Sequence, residues 1–422
     1  MNNSEGTLFT ENLLAQIRER FAHVDSDPMS DKRIYFENSG GSLTLKSVIE
    51  AVTMYTGLPD NAGRRNPTSR EIDLIIHKGI EDIKTFMGVK SGVVALGEST
   101  TVNAYKTITP IISNIPGGNV VTTDLDHPAV YDSTRIICDR YGKEWRTVPL
   151  RSDKGIVDTE SILQKVDTDT IALAIIHSSN NIGTRNDIFD IVRKVRNKNP
   201  DVYVIVDGSQ YCMHSLIDVE DIGCDVYLVS SYKTYNKIGA AAVYLSERAS
   251  KIPHDKLIGK AQDYWELGTR EPAGYAGWSR VIDYFCWIGS HFTGSTDKRE
   301  LVCSAMHAID SHDRALLHRM LNGTDKLKGM RGIEYVKIYG EVEDLTIKDS
   351  GLLFNVEGMT SAEVVSVLEE RGIRVTERKN DYYSGHTLRP LGIESGVRVS
   401  LAHYNTPKEI DYFLYVLSEV AK

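Results

Sequence analysis

Between about Val93 and Val243 the chain alternates short apolar runs with longer amphipathic stretches, and each run stops on a polar cluster. The runs are Val93–Leu96, Val120–Thr123, Ile171–Ile176, Val202–Val206 and Val226–Val229. Unbroken β-branched runs of this length suit strands buried on both faces of a parallel sheet. The alternation with helical stretches then predicts an α/β layer wrapped by helices. Upstream, Thr10 is placed to cap a helix with Leu13, Leu14, Ile17 and Phe21 on one face. Downstream of Gly277 the pattern turns helical through Leu321. Strands are expected at 336–339 and 350–356, a helix at 361–371, and a last strand from Gly396 in which Arg398 and Ser400 share one face. These later elements predict a separate, smaller α+β layer.

Polar residues at the carboxyl ends of parallel strands fall at the ligand-binding rim. Two of these clusters pair an acid with an amine: Val202–Val206 ends on Asp207, and Val226–Val229 leads through Ser230, Ser231 and Tyr232 to Lys233. A lysine that can hold an aldehyde and an acid that can keep a pyridine nitrogen protonated are what pyridoxal phosphate requires of a protein. Taken singly, each residue also fits a solvated loop or a turn. Gly97-Glu98-Ser99-Thr100-Thr101, at a helix start, offers free N–H groups and a positive dipole end to a phosphate, with Ser99 and Thr100 as the candidates. The same residues would serve as an ordinary cap.

Asp207-Gly208-Ser209-Gln210 and Ser230-Ser231-Tyr232-Lys233 resemble the class V aminotransferase family of fold-type I pyridoxal-phosphate enzymes, which includes cysteine desulfurases, selenocysteine lyases and isopenicillin N epimerase. The similarity continues through Asp126-His127-x-Ala129, His177-Ser178-Ser179-Asn180-Asn181-Ile182-Gly183-Thr184 and the Arg398-x-Ser400-x-x-x-Tyr404-Asn405-Thr406 run, and covers Tyr35 to Tyr415. It implies a mainly parallel seven-stranded sheet in a large domain over 36–276, a small α+β domain over 277–422, and a segment 1–35 packing with the small domain. It also implies roles. Lys233 and His127 are catalytic, His127 by stacking on the cofactor ring. Asp207, Gln210, Ser99, Thr100, Asn180, Ser230, Tyr232 and Thr269 bind pyridoxal 5'-phosphate, with Thr269 reaching across a homodimer. Arg398 and Asn180 bind a small amino-acid substrate, Arg398 by its α-carboxylate. The Asn38–Gly41 turn is expected at the edge of the substrate site, and Arg64 and Arg65 are further candidates for an anion.

Desulfurases of this family carry a nucleophilic cysteine in the stretch matching Thr376 to Glu394, where this chain has none. A carbon–sulfur lyase acting by β-elimination without a persulfide is therefore the first expectation, with epimerase or aminotransferase chemistry as alternatives. His386, in the same stretch, reads either as a general acid or as a solvated loop residue. A catalytically silent interaction module is the reading from another class, and intact Lys233, Asp207 and Gln210 speak against it.

Composition adjusts this little. A chain of 422 residues with 41% hydrophobic and 25% charged residues has ordinary globular composition, enough for two or three domains. Its formal charge of −9 is spread without long like-charged blocks, against a nucleic-acid or anionic-membrane surface. Five cysteines with no C-x-x-C pair fit neither a disulfide framework nor a zinc site, and His291, His307, His312 and His318 lack metal-motif spacing. A start without a basic-then-apolar signal, and no bilayer-length apolar run, predict a cytoplasmic protein.

Overall fold

The computed structural model describes residues 5–421. Its centre is a seven-stranded sheet made by β1 (Val93–Gly97), β2 (Asn119–Thr123), β3 (Glu144–Val148), β4 (Thr170–Ile176), β5 (Tyr203–Asp207), β6 (Val226–Val229) and β7 (Ala241–Leu245). The strand order is β1-β7-β6-β5-β4-β2-β3. All neighbours are parallel except those of β7, which runs antiparallel to both β1 and β6. The expected runs become strands because both faces are covered: β2, β4, β5, β6 and β7 are buried at every position. Helices such as Thr100–Asn114 and Pro128–Arg140 cover the sheet, so its central strands can carry apolar residues on both faces, while the edge strand β3, Glu144–Val148, stays partly exposed.

A second sheet holds four antiparallel strands, β8 (Val336–Tyr339), β9 (Gly351–Val356), β10 (Thr376–Lys379) and β11 (Ser395–Ser400), in the order β8-β9-β11-β10. Helices Ser361–Glu370 and Pro407–Val420 close it, each begun by a complete capping box, on Thr360 with Glu363 and Thr406 with Glu409. Val397, Val399 and Leu401 enter its core while Arg398 and Ser400 point the other way, and both faces of β11 are buried.

Three expectations change. Thr10 does cap the helix Glu11–Glu19 through Leu13 N–H, but Leu13, Leu14 and Ile17 join the core cluster of the large sheet. Only Ile34–Tyr35 pairs with the smaller layer, in parallel with Ile373–Arg374. The described part of this segment, residues 5–35, thus packs on both layers, because its helix and its strand meet different partners. The boundary expected at 276/277 lies inside one continuous helix, Pro272–Gly289, buried at thirteen positions. Finally, the stretch 376–394 is not an irregular loop: it begins as β10, paired residue for residue with β11, and contains the short helix Gly385–Leu388.

Candidate active site

The carboxyl ends of β2, β4, β5 and β6 meet the start of the helix Thr100–Asn114 around a single cavity. Ser99, Thr100, His127, Asn180, Asp207, Gln210, Ser230, Tyr232 and Lys233 all line it, so nine of the expected site residues converge. Lys233 sits just after β6 with 6% of its surface exposed. Its Nζ makes one long contact, 3.5 Å to Gln210 Oε1. Burial lowers its pKa to about 8, Asp207 opposing the shift and Arg398 adding to it. An amine so poised is a better base near neutral pH than a solvated lysine.

Asp207 ends β5 and is held by the Ser209 N–H at 2.9 Å. Burial raises its carboxyl above the usual range, against the hydrogen bonds of Ser209 and the charge of Lys233. Gln210 is anchored from the other side, donating through Nε2 to Ser39 Oγ at 3.0 Å. That bond sets the Asn38–Gly41 turn behind Gln210, next to the cavity but not among the residues that line it. Its glycines make room for site residues: a Cβ on Gly40 would lie 3.2 Å from the Arg398 guanidinium, and one on Gly41 3.2 Å from the Tyr232 ring.

At the helix start, Ser99 Oγ accepts the Val102 N–H at 3.1 Å, the ordinary cap, while still facing the cavity. Thr100 Oγ1 is shared between Ser230 Oγ at 2.7 Å and Ser209 Oγ at 3.1 Å. Three hydroxyls and a helix N-terminus therefore form one polar corner, about as far as the fold can go toward an anion site without a cation.

His127 caps the helix Pro128–Arg140, its Nδ1 accepting the Ala129 N–H at 3.1 Å. Burial, then the charge of Lys233, push its pKa to about 3, so the ring is neutral at pH 7. With Nδ1 occupied as an acceptor, the proton sits on Nε2 and is donated to Tyr383 Oη at 2.8 Å. The neighbouring Asp126 fixes this loop, taking the Thr123 N–H at 2.6 Å and the Ile176 N–H at 2.5 Å and so tying β2 to β4. Asn180 belongs to a tight loop closed by Gly183, whose φ of +69° and the 2.3 Å that would separate an added Cβ from Gly351 O exclude a side chain.

Arg398 does not line the cavity; it stands behind Asn180, donating to the Asn180 carbonyl at 3.0 Å. It is 3% exposed, its Nε has no partner, and no carboxylate lies within 4.0 Å among the described residues. Burial and the nearby Arg378 bring its pKa down to about 10.

Other expected residues fall elsewhere. Thr269 is exposed and outside the cavity of its own chain. Arg64 and Arg65 are exposed, and Arg64 pairs with Asp60 at 2.8 Å. His386 is neither solvated nor at the cavity: it is 8% exposed, stacks on Tyr131 at 4.4 Å and has Nε2 2.5 Å from Asp126 O. The short helix Gly385–Leu388 carries it inward, which the polar surroundings in sequence did not suggest. Tyr383, by contrast, lines the cavity with no role foreseen for it, since only the β10–β11 pairing brings it there. No cysteine lines the cavity; Cys212 is buried with Sγ 3.0 Å from Thr234 Oγ1, and burial pushes its thiol up to about 12.

The fold is that of fold-type I enzymes, and the sequence profile described as Aminotransferase class-V matches residues 34–413, so the chain belongs to the class V aminotransferase family of pyridoxal-phosphate-dependent enzymes. Within it, the chain is 26% identical over 421 residues to a probable cysteine desulfurase of Xylella fastidiosa, spanning 95% of this chain and 92% of the relative. It is 27% identical over 320 residues to a cysteine desulfurase of Salmonella dublin, covering 72% and 71%. The structure of an apo cysteine desulfurase from Thermococcus onnurineus NA1 superposes with a TM-score of 0.81 at 20% identity, over 99% of both chains. A cysteine desulfurase of Escherichia coli in an S-sulfonic acid form gives 0.78 at 19% identity, over 98% of both. Among the described residues no helix is long and apolar enough to cross a membrane.

Proposed function

We propose that this chain binds pyridoxal 5'-phosphate through Lys233 and acts as a cysteine-desulfurase-like carbon–sulfur lyase on a small amino acid, without a persulfide-forming cysteine. The observation that carries this reading is the buried Lys233 amine, with a single 3.5 Å contact, in one cavity with Asp207. A buried, poorly satisfied amine is costly unless a ligand completes it. The donor set fits the cofactor: Lys233 for the aldehyde, Asp207 for the ring nitrogen, Gln210 for the phenolic oxygen and His127 beside the ring. Ser99, Thr100, Ser230 and Tyr232, with Thr269 of a second copy, would hold the phosphate, and the working unit is a homodimer in the cytoplasm.

When bound, the cofactor supplies a ring that accepts electrons from the substrate α-carbon. The protein does the rest. Arg398 takes the α-carboxylate, with Asn180 between it and the cavity. Lys233, half neutral near pH 8, removes the α-proton. His127 keeps its Nε2 proton directed at Tyr383, which lines the same cavity.

The test is to add the cofactor to purified protein and follow visible absorbance, borohydride bleaching and the labelled peptide. A yellow protein labelled at Lys233 is expected. Colourless protein would return the reading to an interaction module. Incubation with cysteine and cystine should release sulfide or a thiol together with pyruvate. A persulfide on any of the five cysteines would show that the missing thiol at 376–394 had been misjudged, while an intact carbon–sulfur bond with an inverted or deaminated product would favour the epimerase or aminotransferase alternative.

A further inference from the structure

Arg378 is a second guanidinium beside the same cavity. On β10, Thr376 pairs with Arg398 of β11 and Arg378 with Gly396, so the two arginines are diagonal neighbours on one face of the sheet. Arg378 is half-buried, and its hydrogen bonds go only to the neutral Ser384 hydroxyl, from Nε at 3.0 Å and from a terminal nitrogen. Its guanidinium carbon lies 5.0 Å from the centre of the Tyr383 ring, which lines the cavity. Among the described residues no carboxylate comes within 4.0 Å of either arginine. Asp381 and Glu37 act on Arg378 only at longer range; burial lowers the pKa of both guanidiniums, and the charge of Arg378 lowers that of Arg398 further.

Elsewhere the fold neutralises such groups. Arg185, at similar depth, is gripped by Asp310 at 2.8 Å and by Asp349. Two neighbouring cations left without carboxylates at a substrate cavity repel one another, and a single α-carboxylate answers only one of them. Resting on the amino-acid reading above, we infer that Arg378 is a specificity-determining residue that binds a second acid group, so that the substrate side chain ends in a carboxylate or another oxyacid. Arg398 takes the α-carboxylate, and Tyr383 packs beside the second anion site, at Arg378.

The test uses simple anions, so it reads without turnover. Succinate and propionate are titrated calorimetrically into the purified full chain, with and without added cofactor. Succinate is expected to bind at least tenfold more tightly than propionate. Arg378→Gln should erase that preference and leave propionate affinity unchanged, Arg378→Lys should keep part of it, and Arg398→Gln should weaken both anions. Equal binding of the two anions by the wild-type chain would overturn the inference, as would a preference that survives Arg378→Gln. If Arg378→Gln does not fold, the wild-type comparison still decides. Failure of the cofactor reading would show separately, as absent colour with the anion preference intact.

Discussion

The regions around Lys233 and Lys348 each bury an amine in the same molecule, and to opposite ends. Lys233 is 6% exposed and Lys348 1%, and burial lowers both, to about 8 and about 7. By pKa alone Lys348 is the more perturbed. Yet its ammonium is spent on the Ile182 carbonyl, and Glu341 and Asp349 offset its burial, where a loop of the large layer meets the smaller one. Lys233 instead faces a cavity with its hydrogen-bonding capacity almost unused. Depth perturbs a titratable group; unspent valence beside open space makes it a candidate for chemistry. Arg185 and Arg398 repeat the contrast, one paired with two carboxylates and the other with none.

The largest difference should appear on replacing each lysine. Lys233→Ala should abolish borohydride-stable labelling and lower turnover by roughly 10²–10⁴-fold, the usual worth of a positioned acid or base, whereas Lys348→Met should label normally. Labelling that follows Lys348 would break the comparison.

For the arginines, Arg185→Leu leaves Asp349 buried and uncompensated, a loss of about 3–5 kcal/mol of stability, readable by urea denaturation. Arg398→Leu should leave the denaturation midpoint near that of the parent and weaken amino-acid binding by about 2–5 kcal/mol. If both variants unfolded alike, Arg398 would be a structural group.

The lysines also predict a pH dependence. A lysine depressed on folding binds fewer protons native than unfolded, so stability rises with pH between its two pKa values, and the cost is fully present below the lower one. For Lys348 that window opens at about 7 and for Lys233 at about 8, and both close near the ordinary value of about 10.4. Lys348→Met should remove up to about 1.4 kcal/mol per pH unit from the slope between pH 7 and 10, and an unchanged slope would assign the perturbation elsewhere. Capture of the cofactor should rise to a plateau just above pH 8, following Lys233.

The smallest effect concerns Thr269. Exposed in its own chain, it should matter only across a dimer, and Thr269→Ala should weaken cofactor retention by about 1.5–3 kcal/mol, the range for a hydrogen bond to a charged group. Sedimentation of a monomer that keeps its cofactor would contradict that role.

How far the residues announced all this depends on the range of the contacts. The ends of β5 and β6 were readable because an unbroken apolar run fixes where a buried strand stops: Asp207 closes the first run, and Ser230 opens the polar cluster that leads to Lys233 after the second. His127 and Asn180 follow the ends of β2 and β4, but they were singled out by the family resemblance of their motifs. Tyr383 and Arg378 were opaque: Thr376-Glu377-Arg378-Lys379 has poor strand character, and only its pairing with β11 brings it to the cavity. His386 misled because a four-residue helix buries it against Tyr131 and the Asp126 carbonyl, contacts over 250 residues distant in the chain. The expected domain boundary was placed at a change in chemical content, from motif-rich to motif-poor, and that change falls inside a continuous helix.

That unbroken helix, Pro272–Gly289, bears on anyone who would divide this chain for engineering. Severed at 276, its first turn, 272–276, would leave with the large sheet and the rest, carrying Trp278, Phe285 and Ile288, with the remainder. Each fragment would present a raw apolar stump to water, inviting aggregation before reassembly. A split tolerated by the molecule belongs in the exposed turn around Gly294, after the helix has finished and before Asp297 caps the next one.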